Sequence, residues 1–101
     1  MSVSQEELAL QVDVAEWSWL RAHLERGGVI MVDQALDLVE AGRTIAADDS
    51  ATVTAWIASG RLAKPGIERI AAWDATPGKT FRTLIISPYV LIQEIAKEVY
   101  R

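Results

Sequence analysis

Ile45-Ala46-Ala47-Asp48-Asp49-Ser50-Ala51-Thr52-Val53-Thr54-Ala55-Trp56-Ile57-Ala58-Ser59-Gly60-Arg61-Leu62 is the stretch on which the fold turns. It reads as the end of one helix, a tight polar turn at Asp48-Asp49-Ser50, and a second short helix. Asp49 or Ser50 caps that second helix, because a side-chain oxygen there accepts from N–H groups that a first turn leaves unpaired. Val53, Trp56 and Ile57 share one helical face, which predicts an inner face with Trp56 as a core anchor. Gly60 closes the helix in the left-handed conformation that glycine tolerates. The outward positions hold Ser50, Thr54, Ala55 and Ala58, with no Arg, Lys, Asn or Gln among them.

Upstream, Leu38, Gly42 and Ile45 recur at i, i+4 and i+7, and Val39 and Ala46 widen the same face. Asp33 is placed to cap this helix. A glycine inside a helix costs about 1 kcal/mol relative to alanine, so Gly42 predicts a close approach by another element, such as a tryptophan ring. Val29-Ile30-Met31-Val32 is short, apolar and β-branched, the pattern of a buried strand. Before it, Asp13 and Glu16 have capping-box spacing, and Trp17, Leu20 and Leu24 form one stripe of a first helix. Gly27-Gly28 stops that helix, with Arg26 in its last turn, where a cation suits the helix dipole. Residues 1–12 are expected to fray, and residues 13–101 to form one compact domain.

Downstream, residues 61–64 suit a short strand and Pro65-Gly66 a turn. Ile67, Ile70 and Ala71 have helical spacing up to Trp73, and residues 75–79 form a second turn. Residues 81–86 are the strongest strand signal, with Val29–Val32 as the expected partner. Ser87-Pro88 resembles an N-cap followed by a first-turn proline. It predicts a C-terminal helix over 88–101 with a stripe of Ile92, Ile95 or Ala96, and Val99. That stripe either closes the core or joins two copies of the chain in a homodimer.

A chain of 101 residues, half apolar and a quarter charged, has the profile of one globular domain. It holds no cysteine, which removes disulfides and thiolate metal sites and fits a reducing compartment. The acidic N-terminus lacks the apolar segment of a signal peptide. The longest apolar run, residues 84–92, is interrupted by Ser87 and Pro88 and falls short of the roughly 20 residues of a membrane span. The expected location is the cytoplasm. The net charge is −4, divided as −7 over residues 1–50 and +3 over residues 51–101. Such asymmetry marks either mutual attraction of the halves or a polyanion-binding side.

No catalytic constellation emerges. His23 is the single histidine, and no serine sits in a nucleophile motif. Adjacent Asp48 and Asp49 diverge in a tight turn and serve as caps, and Asp37 and Glu40 make a solvated acidic face. Gly27-Gly28 lacks the context of a phosphate loop. The expectation is therefore no enzyme, no metal and no cofactor. Trp17 and Trp56 belong to inner faces, whereas Trp19 lies off its stripe and Trp73 near a turn, which makes these two candidate partner contacts. Arg61, Lys64, Arg69, Lys79 and Arg82 cluster in sequence, interleaved with Glu68 and Asp74. Of these, Arg61, Lys64 and Lys79 are the candidate phosphate contacts of an alternative, DNA-binding function.

The order helix–strand–helix–helix–loop–strand resembles a winged helix, with residues 65–79 as a long wing. The segment 52–62 is similar to the V-x-x-W-I-x-x-G-x-L phrase of excisionase-like and MerR-like DNA-binding modules. It departs from them at Asp48, where they place an apolar turn residue, and in its lack of basic or amide side chains. Across residues 17–94, the segments Arg26-Gly27-Gly28-Val29-Ile30-Met31-Val32-Asp33, Leu36-Asp37-Leu38-Val39-Glu40 and Pro88-Tyr89-Val90-Leu91-Ile92-Gln93 carry a further resemblance, together with Trp56, Gly60 and Trp73. They resemble a family of small bacterial proteins of unknown function. That resemblance implies a bacterial origin and transfers no activity. The expected whole is an α+β, winged-helix-like domain that acts as an interaction module, binding another protein or itself.

Overall fold

The computed structural model describes residues 10–25, 28–86 and 89–95. Among them are five strands and four helices: β1 (Asp13–Glu16), α1 (Trp17–Leu24), β2 (Val29–Val32), α2 (Leu38–Ala46), α3 (Ser50–Ala58), β3 (Leu62–Ala63), α4 (Ile67–Asp74), β4 (Thr80–Ile86) and β5 (Tyr89–Glu94). The strands form one sheet in the order β1-β4-β5-β2-β3. Only the β2–β5 pair is parallel, in the register Val29↔Val90 and Met31↔Ile92. No helix among the described residues is long and apolar enough to cross a membrane.

Both faces of the sheet are covered, because alternate residues of β2, β4 and β5 are apolar on both sides. On one face Val32, Leu62, Leu84 and Leu91 pack with Leu38, Val39 and Ala41 of α2, and α3 adds Val53 and Trp56 at the margin. On the other, Val29, Phe81, Val90 and Ile92 pack with Trp17 and Leu20 of α1 and Trp73 of α4. Trp17, Trp73 and Phe81 form an aromatic trio whose centroids lie 4.8–6.0 Å apart. Asp74 ties α4 to α1 by accepting from Trp17 Nε1 at 2.7 Å and Arg21 Nε at 3.1 Å.

Several expectations change. The C-terminal helix is absent over its described part, which is β5. Val90, Leu91 and Ile92 are almost fully buried, and they slot between β4 and β2 and pair with both. A segment buried on both faces beside two open strand edges satisfies its backbone as a strand, whatever its helical spacing. The remainder of the expected stripe, from Ala96 onward, and Ser87-Pro88 lie outside the described residues. Ile92 of that stripe lies inside the sheet, whereas Ile95 is 43% exposed. With β5 between them, β2 and the strand over 81–86 share one sheet, as expected, but are not neighbours.

No wing is present. Residues 65–79 carry α4, which crosses to the opposite face, and β3 pairs with β2 alone. The winged-helix expectation therefore gives way to an α+β fold built on a five-stranded mixed sheet.

Residues 13–16 are a strand along β4, not the start of a helix. The N–H groups of Trp17 and Ser18 find the carbonyls of Lys79 (2.8 Å) and Pro77 (3.1 Å), so tertiary partners replace the expected capping box. The cap of α2 is Asp37, which accepts from Glu40 N at 2.9 Å, while Asp33 accepts from Ala35 N in the preceding turn. The close approach at Gly42 is real, but its partner is the Leu84 side chain rather than a tryptophan.

Candidate interaction surface

The segment 45–62 folds as its residues dictate. Asp48 takes a left-handed backbone (φ 59°), which a short polar side chain tolerates, and reverses the chain after α2. The Asp49 carboxylate then accepts from Thr52 N (3.2 Å) and Thr52 Oγ1 (2.8 Å), capping α3. Gly60 (φ 82°) ends the turn after α3 and sends the chain into β3. What differs is depth. None of the nine residues of α3 is fully buried, and none carries a charge. Trp56 is half-buried at the edge of the core rather than an anchor within it, and Ile57 is 59% exposed.

α3 forms one wall of a groove of about 460 Å³. Ile30, Ile45, Val53, Ile57, Leu62 and Tyr89 supply its apolar lining, with Asp48 and Lys64 also on its wall. Such a groove has room for apolar side chains. It offers no bidentate reader of a base edge.

The expected site residues are dispersed. Trp19 is 48% exposed on α1 and packs against His23 at a tilt of 49°, with ring centroids 4.3 Å apart. Trp73 is 4% exposed within the aromatic trio, so it is core and not a contact residue. Arg61 and Lys64 are exposed on either side of β3. Lys79 lies on the other face, 3.4 Å from Glu94 and 5.5 Å from the centroid of the Phe81 ring. Arg69 also pairs with Glu94, at 2.7 Å. The basic residues thus do not gather on one loop, because α4 separates them. Among the described residues no group of three His, Asp or Glu side chains is placed to hold a metal.

Sequence reasoning missed Ile57 and Tyr89 as surface residues. The helical spacing that covers Tyr89 belongs to a segment that folds as a strand. The spacing of Ile57 places it on the inner face, yet a helix that turns only Val53 and Trp56 inward leaves the position beside them outside.

A family model described as "Protein of unknown function (DUF2288)" matches residues 4–94. The chain belongs to this family. The NMR solution structure of PA1075 from Pseudomonas aeruginosa is similar to it, at 33% identity and a TM-score of 0.78, over 93% of this chain and 86% of that one. No curated protein matches. The expected membership of a family of unknown function therefore holds, and the overall fold is similar to that of an experimentally determined structure. Neither description assigns an activity to the DUF2288 fold.

Proposed function

We propose that this protein is a non-catalytic interaction module of the bacterial cytoplasm, whose α3 groove receives the apolar face of a helix from a partner protein. The observation that carries the proposal is α3 itself, a surface helix with neither a charge nor a fully buried side chain. A surface helix ordinarily turns a charged face to water. Here that face is Ser, Thr and Ala beside exposed Ile57, and it borders an apolar groove. Exposed apolar surface of this kind marks binding sites, and a groove lined by branched side chains suits a helix presenting i, i+3, i+4 anchors. The bacterial part of the proposal rests on the Pseudomonas aeruginosa relative, and the cytoplasmic part on the cysteine-free composition.

The DNA alternative lacks comparable support. α3 presents no Arg, Lys, Asn or Gln to make a bidentate contact with a base edge, and Lys79 is already engaged with Glu94 on the opposite face of the sheet.

The test is capture from native bacterial lysate by the immobilised chain, by Ile57→Glu, and by Ile67→Glu as a control on α4. The expected result is a protein retained by the parent and by Ile67→Glu but lost on Ile57→Glu, which then binds directly when purified. A set of captured proteins indifferent to Ile57→Glu, or no capture at all, would overturn the proposal.

A further inference from the structure

Charge is ordered along α3. Asp48 and Asp49 stand at its N-terminal end. Arg61 closes the other end, where its N–H donates to the Trp56 carbonyl at 2.8 Å. Lys64 lies on the groove wall. All four residues are exposed, and the nine residues of α3 carry no charge. Among the described residues none of the four makes an ion pair. These four charges sum to zero on a chain whose net charge is −4. A neutral face is where two copies of an acidic chain meet with least repulsion.

Shape points the same way. Ile57 is 59% exposed and stands on the wall of a groove of about 460 Å³, which Tyr89, 41% exposed, lines from β5. A projecting apolar side chain and an apolar hollow thus share one face. A two-fold contact needs this self-complementarity, because each feature of one copy meets its counterpart on the other. Ala55 and Ala58 are also exposed, and side chains this small let two helices approach closely.

We propose, taking the groove as the partner site argued above, that its occupant is α3 of a second copy of this chain. The two helices run antiparallel across a two-fold axis near Thr54. Ile57 of each copy enters the groove of the other. Asp48 of each copy faces Arg61 of the partner subunit, so opposite charges meet at both ends of the contact. A parallel arrangement would set acid against acid.

The experiment is sedimentation equilibrium of the full chain from about 1 μM to about 1 mM, with amide NMR spectra confirming that each variant is folded. The contact is small, so the expected result is a monomer–dimer equilibrium with a dissociation constant of about 10–100 μM. Ile57→Glu should raise that constant at least about tenfold, whereas Ile67→Glu on α4 should leave it unchanged. Asp48→Lys and Arg61→Glu should each weaken association about tenfold, because each sets like charges together at both ends. An equimolar mixture of these two variants should recover the parent dimer, since every mixed pair again brings opposite charges together twice. A merely structural effect of either substitution predicts no recovery on mixing. A parent chain that stays monomeric at about 1 mM would overturn the proposal. So would a folded Ile57→Glu that dimerises like the parent, or a mixture no stronger than its components. A monomeric parent that still captures a different protein through Ile57 removes the second copy alone and leaves the groove as a partner site. Dimerisation and capture that are both indifferent to Ile57→Glu remove the two together.

Discussion

A Cβ at Gly42 would collide with the Leu84 side chain, so helix propensity and packing oppose each other at this position. Alanine gains about 1 kcal/mol in propensity. Overpacking a core contact costs roughly 1–3 kcal/mol, and Leu84 is fully buried and cannot move aside freely. Gly42→Ala is therefore expected to lower the urea midpoint, and Leu84→Val is expected to restore part of the loss in a double-mutant cycle. The tryptophans divide by burial in the same way. Trp73→Ala removes a ring held between Trp17 and Phe81 and should cost about 3–5 kcal/mol. Trp56→Ala removes a half-buried ring and should cost about half as much. Equal costs in urea denaturation would contradict this placement. Gln93 was not singled out from sequence, yet it is 6% exposed and donates to the carbonyls of Asp33 (3.0 Å) and Leu36 (2.7 Å). Gln93→Leu leaves both acceptors without that donor, with an expected loss of about 1–3 kcal/mol in the same assay.

At the scale of elements, α3 is set by local chemistry at its ends and by the groove along its side. Asp49→Ala removes a cap that satisfies Thr52 N, and about 1 kcal/mol of stability should go with it, read as a lower melting midpoint. Ile57→Glu should leave stability within roughly 0.5 kcal/mol, because the side chain is already in water. A binding defect in that variant is then a loss of surface and not of fold. If Ile57→Glu instead melted like a core variant, α3 would be an inner helix and the groove would not exist. α1 shows the opposite case. Its first N–H groups are satisfied by Lys79 and Pro77 from the turn before β4, so its start is decided by a segment about 60 residues away.

The whole molecule carries −4 at neutral pH, with its cations spread over both faces of the sheet. Duplex DNA binding is accordingly expected to be absent at ~150 mM salt in an anisotropy titration. Sub-micromolar binding lost on changing Arg61, Lys64 and Lys79 to alanine would instead favour the DNA alternative. Local features were legible in the order of residues alone. The strand at Val29–Val32, the turn and cap at Asp48–Asp49, the helix stop at Gly60 and the helix before Trp73 all follow from side chains acting on their own backbone within a few residues. Membership of the family was legible in the same way, from segments of primary structure. Long-range packing set the strand identity of 13–16 and 89–94, the place of β5 between β2 and β4, and the burial of Trp73 against the exposure of Ile57. The groove shares this dependence, since it joins side chains from β2, α2, α3, β3 and β5. Periodicity reports that a segment has an apolar side, but not which distant edge will pair with its backbone. That choice is made by the long-range hydrogen bonds and burial that a neighbouring strand supplies, and these exist only once the sheet has assembled.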